Sequence, residues 1–184
     1  KDVHRAASAF NTEKLLWLNQ HYIKPSDPAH IAHHVSWHMG RLGIDPAQGP
    51  DLADVVEALR ERAKTLVEMA QAATFFYHDF ESYEEKSAAK HLTGEVLEAL
   101  SSLHVSLIML TPWSPEAIHQ LISEVAGKHD LTMGKLAQPL RVAVTGKAAS
   151  PPIDVTVHLL GRETTLLRLE KALAHIRASD RKAD

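Results

Sequence analysis

The residues best suited to chemistry lie in one segment near the C-terminal end, where an amphipathic run meets a basic turn. Residues 133–146 predict a helix that ends at a glycine, with Pro139 inside its pattern and Arg141 near its end. A basic, proline-rich stretch at 147–152 follows, and it leads into a new apolar run at 153–160. A helix end beside a stiff cationic turn can bind an anionic partner.

Histidine offers a second kind of chemistry. The chain has thirteen histidines, and four of them fall on one predicted helix: His30, His33, His34 and His38. His34 and His38 are four residues apart, so both rings can reach one ion. A metal site also needs a third ligand and a second shell, and no nearby Asp/Glu pattern supplies them. We therefore predict solvent-facing imidazoles and no metal site, with a His-dependent metal binder as the weaker alternative.

The sequence contains none of the motifs that mark the reacting centre of an enzyme. It has no Gly-rich phosphate loop, no G-x-S-x-G and no H-E-x-x-H. Its Asp/Glu pairs are scattered over predicted helix faces, where solvation and pairing within the helix explain them. We predict no catalytic residue.

Composition sets further bounds. Cysteine is absent, which excludes disulfides and thiolate metal sites. No apolar run reaches about 18 residues, so we predict no membrane partner. The first residue is Lys1, without an initiator Met or a signal peptide, and we expect a piece of a longer protein.

Charge is unevenly distributed along the chain. The net charge is -3, yet residues 135–184 hold nine Lys/Arg and five Asp/Glu, a local balance of +4. This balance favours an anion-binding face in the C-terminal part. On charge alone, an ordinary protein surface remains the alternative.

The elements that must position these residues are predicted to be helices, because only 5% of the residues are aromatic while Ala and Leu abound. The first part predicts three helices: one from Asn11 or Thr12 to Pro25, one from Ser26-Asp27-Pro28 to Gly40 or Gly43, and a long amphipathic one from Asp51 to about Ala70. An aromatic cluster follows, made of Phe75, Phe76, Tyr77 and Phe80. We interpret it as packing that closes a first bundle, with a base-stacking platform as the less favoured alternative.

Polar residues 81–86 predict a boundary between two small helical subdomains, 1–82 and 83–184. Three more helices are predicted beside the segments already described: one from Thr93 to Leu110, one capped by Ser114 and ending near Gly127, and one from Thr164 to about Ala178. Val142 to Thr145 and Val155 to Val157 are β-branched, but no strand pattern alternates convincingly. The predicted fold class is all-α.

Five separated stretches carry a resemblance to a known family. They are Phe10–Ile23 (FNTEKLLWLNQHYI), Arg60–Leu66 (RERAKTL) with the following Phe76–Phe80 (FYHDF), Gly134–Arg141 (GKLAQPLR), Ser150–Pro152 (SPP) and Asp154–Gly161 (DVTVHLLG). In this order they resemble the C-terminal anticodon-binding region of bacterial glutamyl-tRNA synthetases. Five matches in register are more specific than any one of them.

The resemblance implies a two-part, all-α region, the α-helix cage of class I synthetases, which binds tRNA(Glu) and no DNA. The family's class I catalytic motifs belong to an N-terminal half that this chain lacks, so the resemblance implies a non-catalytic fragment without a cofactor. The parent would be a cytoplasmic, monomeric, ATP-dependent glutamate–tRNA ligase, with ATP and Mg²⁺ in the missing catalytic domain. The alternative class is a helical protein–protein docking module that uses its basic face on an acidic protein.

Carried over by position, the resemblance implies that four residues lie at the anticodon: Arg141, Ser150, Pro151 and Ile153. The chemistry agrees, because a guanidinium can stack on an unpaired base or donate to it, while Pro and Ile offer apolar contact. Ser150 can hydrogen-bond a base edge. The alternatives are that Arg141 caps its own helix and that the two prolines form only a rigid turn. Pro152 stands where many relatives have Gly or Ala, so we expect a locally different loop.

Arg62 matches the family's arginine that is linked to the third anticodon base. That base is C in tRNA(Glu) and G in tRNA(Gln), and an Arg donor favours the acceptors on C. The resemblance therefore implies an enzyme that discriminates between the two tRNAs. The alternative is a surface pair of Arg62 with Glu57 or Glu61. Lys135 and Lys147 are the predicted phosphate contacts.

Overall fold

The computed structural model describes residues 11–183, and within that range the chain forms helices and turns but no strand. The α-helices are α1 (Thr12–Ile23), α2 (Pro28–Arg41), α3 (Leu52–Leu59), α4 (Leu66–Tyr77), α5 (Glu85–His91), α6 (Leu97–Ile108), α7 (Pro115–Lys128), α8 (Met133–Thr145), α9 (Ile153–Leu160) and α10 (Arg162–Ala183). Two short 3-10 helices, Pro46–Gln48 and Gly94–Val96, precede α3 and α6. The predicted all-α class is confirmed. Among the described helices, none has the length and hydropathy to cross a membrane.

Capping side chains start several of these helices where the sequence predicts. The Asn11 side chain accepts a hydrogen bond from the backbone N–H of Lys14 at 3.0 Å and begins α1. The Ser114 hydroxyl accepts from the N–H of Ala117 at 3.3 Å, with a proline as the first residue of α7. Such caps satisfy backbone donors that a helix end leaves without partners.

The predicted long helix from Asp51 to about Ala70 is wrong, because the chain breaks between α3 and α4. Two side chains of α1 donate hydrogen bonds to backbone carbonyls in this break. Asn19 donates to the carbonyl of Lys64 at 2.6 Å, and Gln20 donates to that of Glu61 at 3.1 Å. Thr65 then caps α4 by accepting from the N–H of Glu68 at 3.1 Å. Tertiary hydrogen bonds and a new cap therefore replace the continuous helical ladder.

One apolar cluster runs through the described residues and takes its largest fully buried side chains from α2, α4, α6, α7, α8 and α10. Helices α2, α3 and α4 pack on one another, while α10 lies along α6 and α8, and α7 packs on α8 and α9. Contacts between α3 and α9 join the two groups. The division at residue 82 stays a prediction. Helix α5, which begins within the predicted polar boundary, packs on α8.

Gly146 ends α8 in the left-handed region, at φ 76°, where a side chain is costly. A Cβ on Gly146 would lie 3.0 Å from the Phe80 ring, so the backbone there passes close to the aromatic cluster. The carbonyl of Gly146 also accepts from the N–H of Glu84 at 2.8 Å. The turn after α8 is thus fixed against the segment that follows α4.

Candidate nucleic-acid interface

Arg141 holds the α8–α9 loop, which comprises residues 146–152. Its Nη1 donates to the carbonyls of Ser150 at 3.0 Å and Pro151 at 2.6 Å, and to the Ser150 hydroxyl. Its Nε donates to the side-chain oxygen of Gln138 at 3.3 Å. Arg141 therefore binds loop carbonyls rather than capping the end of its own helix. None of the hydrogen bonds found for Arg141 in residues 11–183 uses Nη2.

Further hydrogen bonds make this loop a defined surface. Gln138 donates from Nε2 to the carbonyl of Ala148 at 2.7 Å, and the Thr145 hydroxyl donates to the carbonyl of Lys147 at 3.0 Å. The Ser150 hydroxyl lies 2.9 Å from the Pro151 carbonyl and 3.2 Å from the Thr156 hydroxyl. These hydrogen bonds tie the loop to α8 and to the start of α9.

Arg62 lies in the break between α3 and α4 and is exposed. The carboxylates predicted as its partners are engaged elsewhere: Glu57 pairs with Arg60 at 2.6 Å, and Glu61 pairs with Lys24 at 2.8 Å. Arg62 is in none of the ion pairs of the described residues. Its charge is therefore available to a ligand.

The two arginines influence each other electrostatically. Burial lowers the pKa of Arg141, and the positive charge of Arg62 lowers it further, while Asp154 opposes both effects. A like-charge pair with one member half-buried creates a positive potential that an anionic or electron-rich partner would relieve.

A cavity of about 470 Å³ opens between α4 and the α8–α9 loop, and we call it the Arg62 cavity. It is lined by Leu59, Arg62, Gln71, Ala72, Thr74, Phe75, His78, Asp79, Phe80, Thr145, Lys147, Ala149, Ser150 and Pro151. Arg62 and Lys147 supply positive charge, Phe75 and Phe80 supply ring faces, and Gln71 supplies an amide. This combination suits an unpaired nucleotide, which presents a ring, polar edges and a phosphate.

A second cavity of about 560 Å³ lies on another side of Arg62. It is lined by Asp54, Glu57, Ala58, Glu61, Arg62, Pro152, Val155, His158 and Leu159. Because Arg62 lines both cavities, its flexible side chain can address a ligand that spans them.

The structure brings most of the predicted site residues together. Arg62, Lys147, Ser150 and Pro151 line the Arg62 cavity, and Arg141 binds its loop wall. Ile153 begins α9 and is 5% exposed, so its side chain belongs to the core and its predicted contact with a base would require movement.

Lys135 lies in the first turn of α8, exposed and away from the cavity lining. Its predicted phosphate contact remains untested. It precedes Arg141 by six residues, about 9 Å along the helix axis, so the two cations would meet different parts of a ligand.

Several residues of the site escaped the sequence analysis. Gln138 precedes Arg141 by three residues in the stretch Gly134–Arg141. On a helix, that spacing places the two side chains next to each other, and it was the sequence feature that could have identified Gln138. The aromatic cluster predicts packing for Phe75 and Phe80, whereas both are half-buried and line the Arg62 cavity. Phe76 is 5% exposed and does close the first bundle.

Three histidines of α2 pack their rings against one another. The His30 and His34 rings are 4.9 Å apart, and the His33 and His34 rings 5.4 Å apart, both edge to face. Within residues 11–183, no group of three or more His, Cys, Asp or Glu side chains comes together to hold a metal.

The helices thus place two arginines beside a cavity whose size, rings and charge suit an unpaired nucleotide. The sequence matches the family described as "Anticodon binding domain" over residues 30–173, and the chain belongs to this family.

Comparison with individual proteins indicates which class of enzyme contains a domain similar to this chain. The chain is 56% identical over 176 residues to glutamate–tRNA ligase 1 of Nitrosococcus oceani, covering 96% of this chain and 38% of the relative. A crystal structure of a glutamate tRNA ligase from Elizabethkingia meningosepticum, in complex with its amino acid, matches with a TM-score of 0.83 and 25% identity, over 95% of this chain and 34% of that one. The glutamate-tRNA synthetase of Elizabethkingia anophelis matches with a TM-score of 0.77 and 25% identity, over 94% and 33%.

These likenesses confirm the resemblance to the anticodon-binding region of glutamyl-tRNA synthetases. The chain spans 38% of the curated relative that it matches. The region that resembles the ligases is therefore a portion of such an enzyme.

Proposed function

We propose that this chain reads the anticodon of tRNA(Glu) as a non-catalytic part of a glutamate–tRNA ligase. The family supports tRNA as the class of partner, and the name of the Nitrosococcus relative supports glutamate as the amino acid. One observation carries the proposal: Arg62 is exposed, has no ion-pair partner among the described residues, and lines the Arg62 cavity beside the loop that Arg141 holds.

Unpaired anticodon bases expose their faces and Watson–Crick edges. In this proposal a base enters the Arg62 cavity, its ring lies against Phe75 or Phe80, and Arg62 donates to its acceptors. On the Watson–Crick edge, cytosine offers this donor two acceptors, N3 and O2, whereas guanine offers one acceptor, O6, beside two opposing donors, N1 and N2. Arg62 thereby favours the C that ends the anticodon of tRNA(Glu) over the G of tRNA(Gln).

The hydrogen bonds of the α8–α9 loop support a preformed site. A loop that is already ordered loses little entropy on binding, so more of the contact energy remains as affinity. Lys147, exposed on the cavity wall, provides a phosphate contact that strengthens binding to any RNA sequence.

The parent enzyme supplies the chemistry that this chain lacks. We assign ATP, Mg²⁺ and the formation of the aminoacyl bond to the remainder of the ligase, and no cofactor to residues 11–183. We further propose a cytoplasmic enzyme that acts as a monomer.

Binding of short RNA hairpins that carry the anticodon loop tests the proposal. Two hairpins differ only in the third anticodon base, C or G, and their Kd values are measured by fluorescence anisotropy at one fixed salt concentration. We expect the C hairpin to bind about tenfold more tightly, since one well-placed contact to a base edge discriminates by about 1–3 kcal/mol. Equal Kd values for the two hairpins would overturn base reading by this chain.

The alternative function, docking to an acidic protein, predicts a different result in the same assay. A basic docking face would bind both hairpins weakly and equally, and salt would abolish the binding of both.

A further inference from the structure

We propose that Arg168 is a positioning residue for anticodon reading, which sets the shape of the Arg62 cavity from behind without touching the RNA. The inference rests on the proposed function and extends it to a buried residue on α10. Arg168 is 3% exposed and is absent from the lining of the Arg62 cavity. Its effect on a bound nucleotide must therefore pass through the residues that it contacts.

Each nitrogen of the Arg168 guanidinium binds a different point. Nη2 donates to the carbonyl of His78 at 3.0 Å, at the end of α4, and Nη1 donates to the carbonyl of Val144 at 2.7 Å, in the last turn of α8. Nε donates to the Asp79 carboxylate at 3.1 Å. One side chain thus joins the two segments that form opposite walls of the cavity.

The contacts continue to an aromatic wall. The carbon of the Arg168 guanidinium lies 5.3 Å from the centroid of the Phe80 ring, which also lies against the backbone of Gly146 and 5.3 Å from the centroid of the Tyr83 ring. Phe80 is held between a cation and a tight turn, and it lines the cavity. A shift of Arg168 would move Phe80 and the start of the α8–α9 loop together.

The buried position of Arg168 requires the several donors of a guanidinium group. Burial lowers the pKa of Arg168, and the charge of Asp79 and its hydrogen bond counteract the shift. A planar guanidinium with donors in a fixed fork can meet two carbonyls and a carboxylate at once, whereas an ammonium is a point charge. Lys171 holds the other oxygen of Asp79, which keeps the carboxylate in place.

The substitution Arg168→Lys tests the proposal, because it keeps the positive charge but removes the planar set of N–H donors. Arg177→Lys is the matched control: Arg177 is exposed on the same helix and enters no ion pair in the described part of the chain. Both variants are first checked for folding by circular dichroism, and all binding is measured below their unfolding temperatures.

The first measurement uses no RNA. In ¹H–¹⁵N spectra, we expect Arg168→Lys to shift the amides of residues 78–80 and 147–150, and Arg177→Lys to leave them in place. If the amides of both segments keep their positions in folded Arg168→Lys, the proposal is wrong.

The second measurement is the ratio of Kd values for the hairpins that end the anticodon in G and in C. We expect Arg168→Lys to lower this ratio by about threefold or more, because a loosened supporting residue degrades base reading more than backbone binding. The dependence of Kd on salt should be unchanged, since no phosphate contact is lost. An unchanged ratio in a folded variant would contradict the proposal even if the protein is less stable.

Two further outcomes are distinguishable. If wild type binds the two hairpins equally, the proposed function fails, and the amide shifts alone decide whether Arg168 sets the cavity wall. If Arg168→Lys does not fold, Asp79→Asn replaces it, because the amide keeps the size of the carboxylate and loses the charge that Nε binds. Because residues 78–80 flank this substitution, only the amide shifts at 147–150 are then diagnostic, and their absence overturns the proposal.

Discussion

Arg62 and Arg141 lie near enough for the charge of one to lower the pKa of the other, although they come from different parts of the chain. Arg141 donates from Nε to Gln138 and from Nη1 to the α8–α9 loop. Arg62 has no such commitment among the described residues, because Glu57 and Glu61 pair with other cations. The two arginines therefore have separate roles: one builds the wall of the site, and the other reads what enters it.

Replacing Arg62 by Gln should remove most of the discrimination between the hairpins ending in C and G. A contact of this kind contributes about 1–3 kcal/mol, so the ratio of Kd values should fall about tenfold while folding is unaffected. The matched control is Lys64→Gln, which removes one exposed positive charge from the same break between α3 and α4. It should weaken both hairpins equally. If Lys64→Gln changes the ratio as much as Arg62→Gln, the assignment of base reading to Arg62 is wrong.

Replacing Arg141 by Ala should loosen the α8–α9 loop. The carbonyl of Ser150 would lose its donor and that of Pro151 one of its donors, at a cost of about 1–3 kcal/mol in the free energy of unfolding. Urea denaturation measures that loss, and hydrogen exchange should show faster exchange at Gly146 and Lys147, whose amides donate to Val142 and Thr145. Affinity for both hairpins should fall, because the loop must then be ordered on binding. Wild-type exchange rates in the variant would show that Arg141 does not hold the loop.

Local patterns in the sequence sufficed for much of the fold and for one wall of the site. Asn11 and Ser114 predicted the starts of α1 and α7, and the stretch from Arg141 to Pro151 lies within one helix and the loop that follows. A cap, a proline or a helical period acts over a few residues, so it can be recognised without the fold.

Contacts between distant residues could not be predicted in the same way. The break after α3 depends on donors from Asn19 and Gln20, which lie 45 and 41 residues from their acceptors. The hydrogen bond from Arg168 to Asp79 spans 89 residues. The aromatic cluster showed that packing occurs near Phe80, but nothing in its spacing indicated which loop would face it. Tertiary contacts overrode local propensity at these points.

Lys147→Ala should weaken binding of both hairpins to a similar extent. A phosphate contact is independent of sequence, and its loss should reduce the slope of log Kd against log salt by about one. Lys135→Ala is predicted to act in the same direction, and its position away from the Arg62 cavity makes a smaller effect the expected result. Lys128→Ala, at the exposed end of α7, is the charge-matched control. A changed ratio between the hairpins in Lys147→Ala would mean that this lysine contacts a base instead.

Gly146→Ala should destabilise the protein for two separable reasons. The residue has φ 76°, and a Cβ would lie 3.0 Å from the Phe80 ring. Gly43→Ala is the matched control, since Gly43 has φ 74° in the turn after α2 but no atom within 4 Å of an added Cβ. The control substitution should lower the free energy of unfolding by about 1–2 kcal/mol, because a side chain is strained in the left-handed conformation. Gly146→Ala should lower it by more. Equal losses in urea denaturation would show that the Phe80 ring yields without cost.

Asp79 should make stability depend on pH in the acid range. Burial raises the pKa of Asp79, but the hydrogen bond from Lys171 and the charges of Arg168 and Lys171 outweigh it, so the pKa lies below the ordinary value of 3.8. A carboxyl group whose pKa is lowered by folding stabilises the protein above its unfolded pKa and loses that contribution as pH falls through the folded value. Because the side chain is 45% exposed, solvent screens the pair and the contribution is modest.

Asp79→Asn isolates this contribution. The variant should unfold at lower urea than wild type near neutral pH, and the difference should shrink as the pH drops below 3.8. Other carboxyl groups titrate in the same range, but they do so in both proteins and cancel in the comparison. Glu163→Gln, at an exposed position outside the ion pairs of the described residues, is the control for the loss of one surface carboxyl group. A difference between wild type and Asp79→Asn that stays constant down to the acid limit would mean that Lys171 and Arg168 do not stabilise the charged form of Asp79.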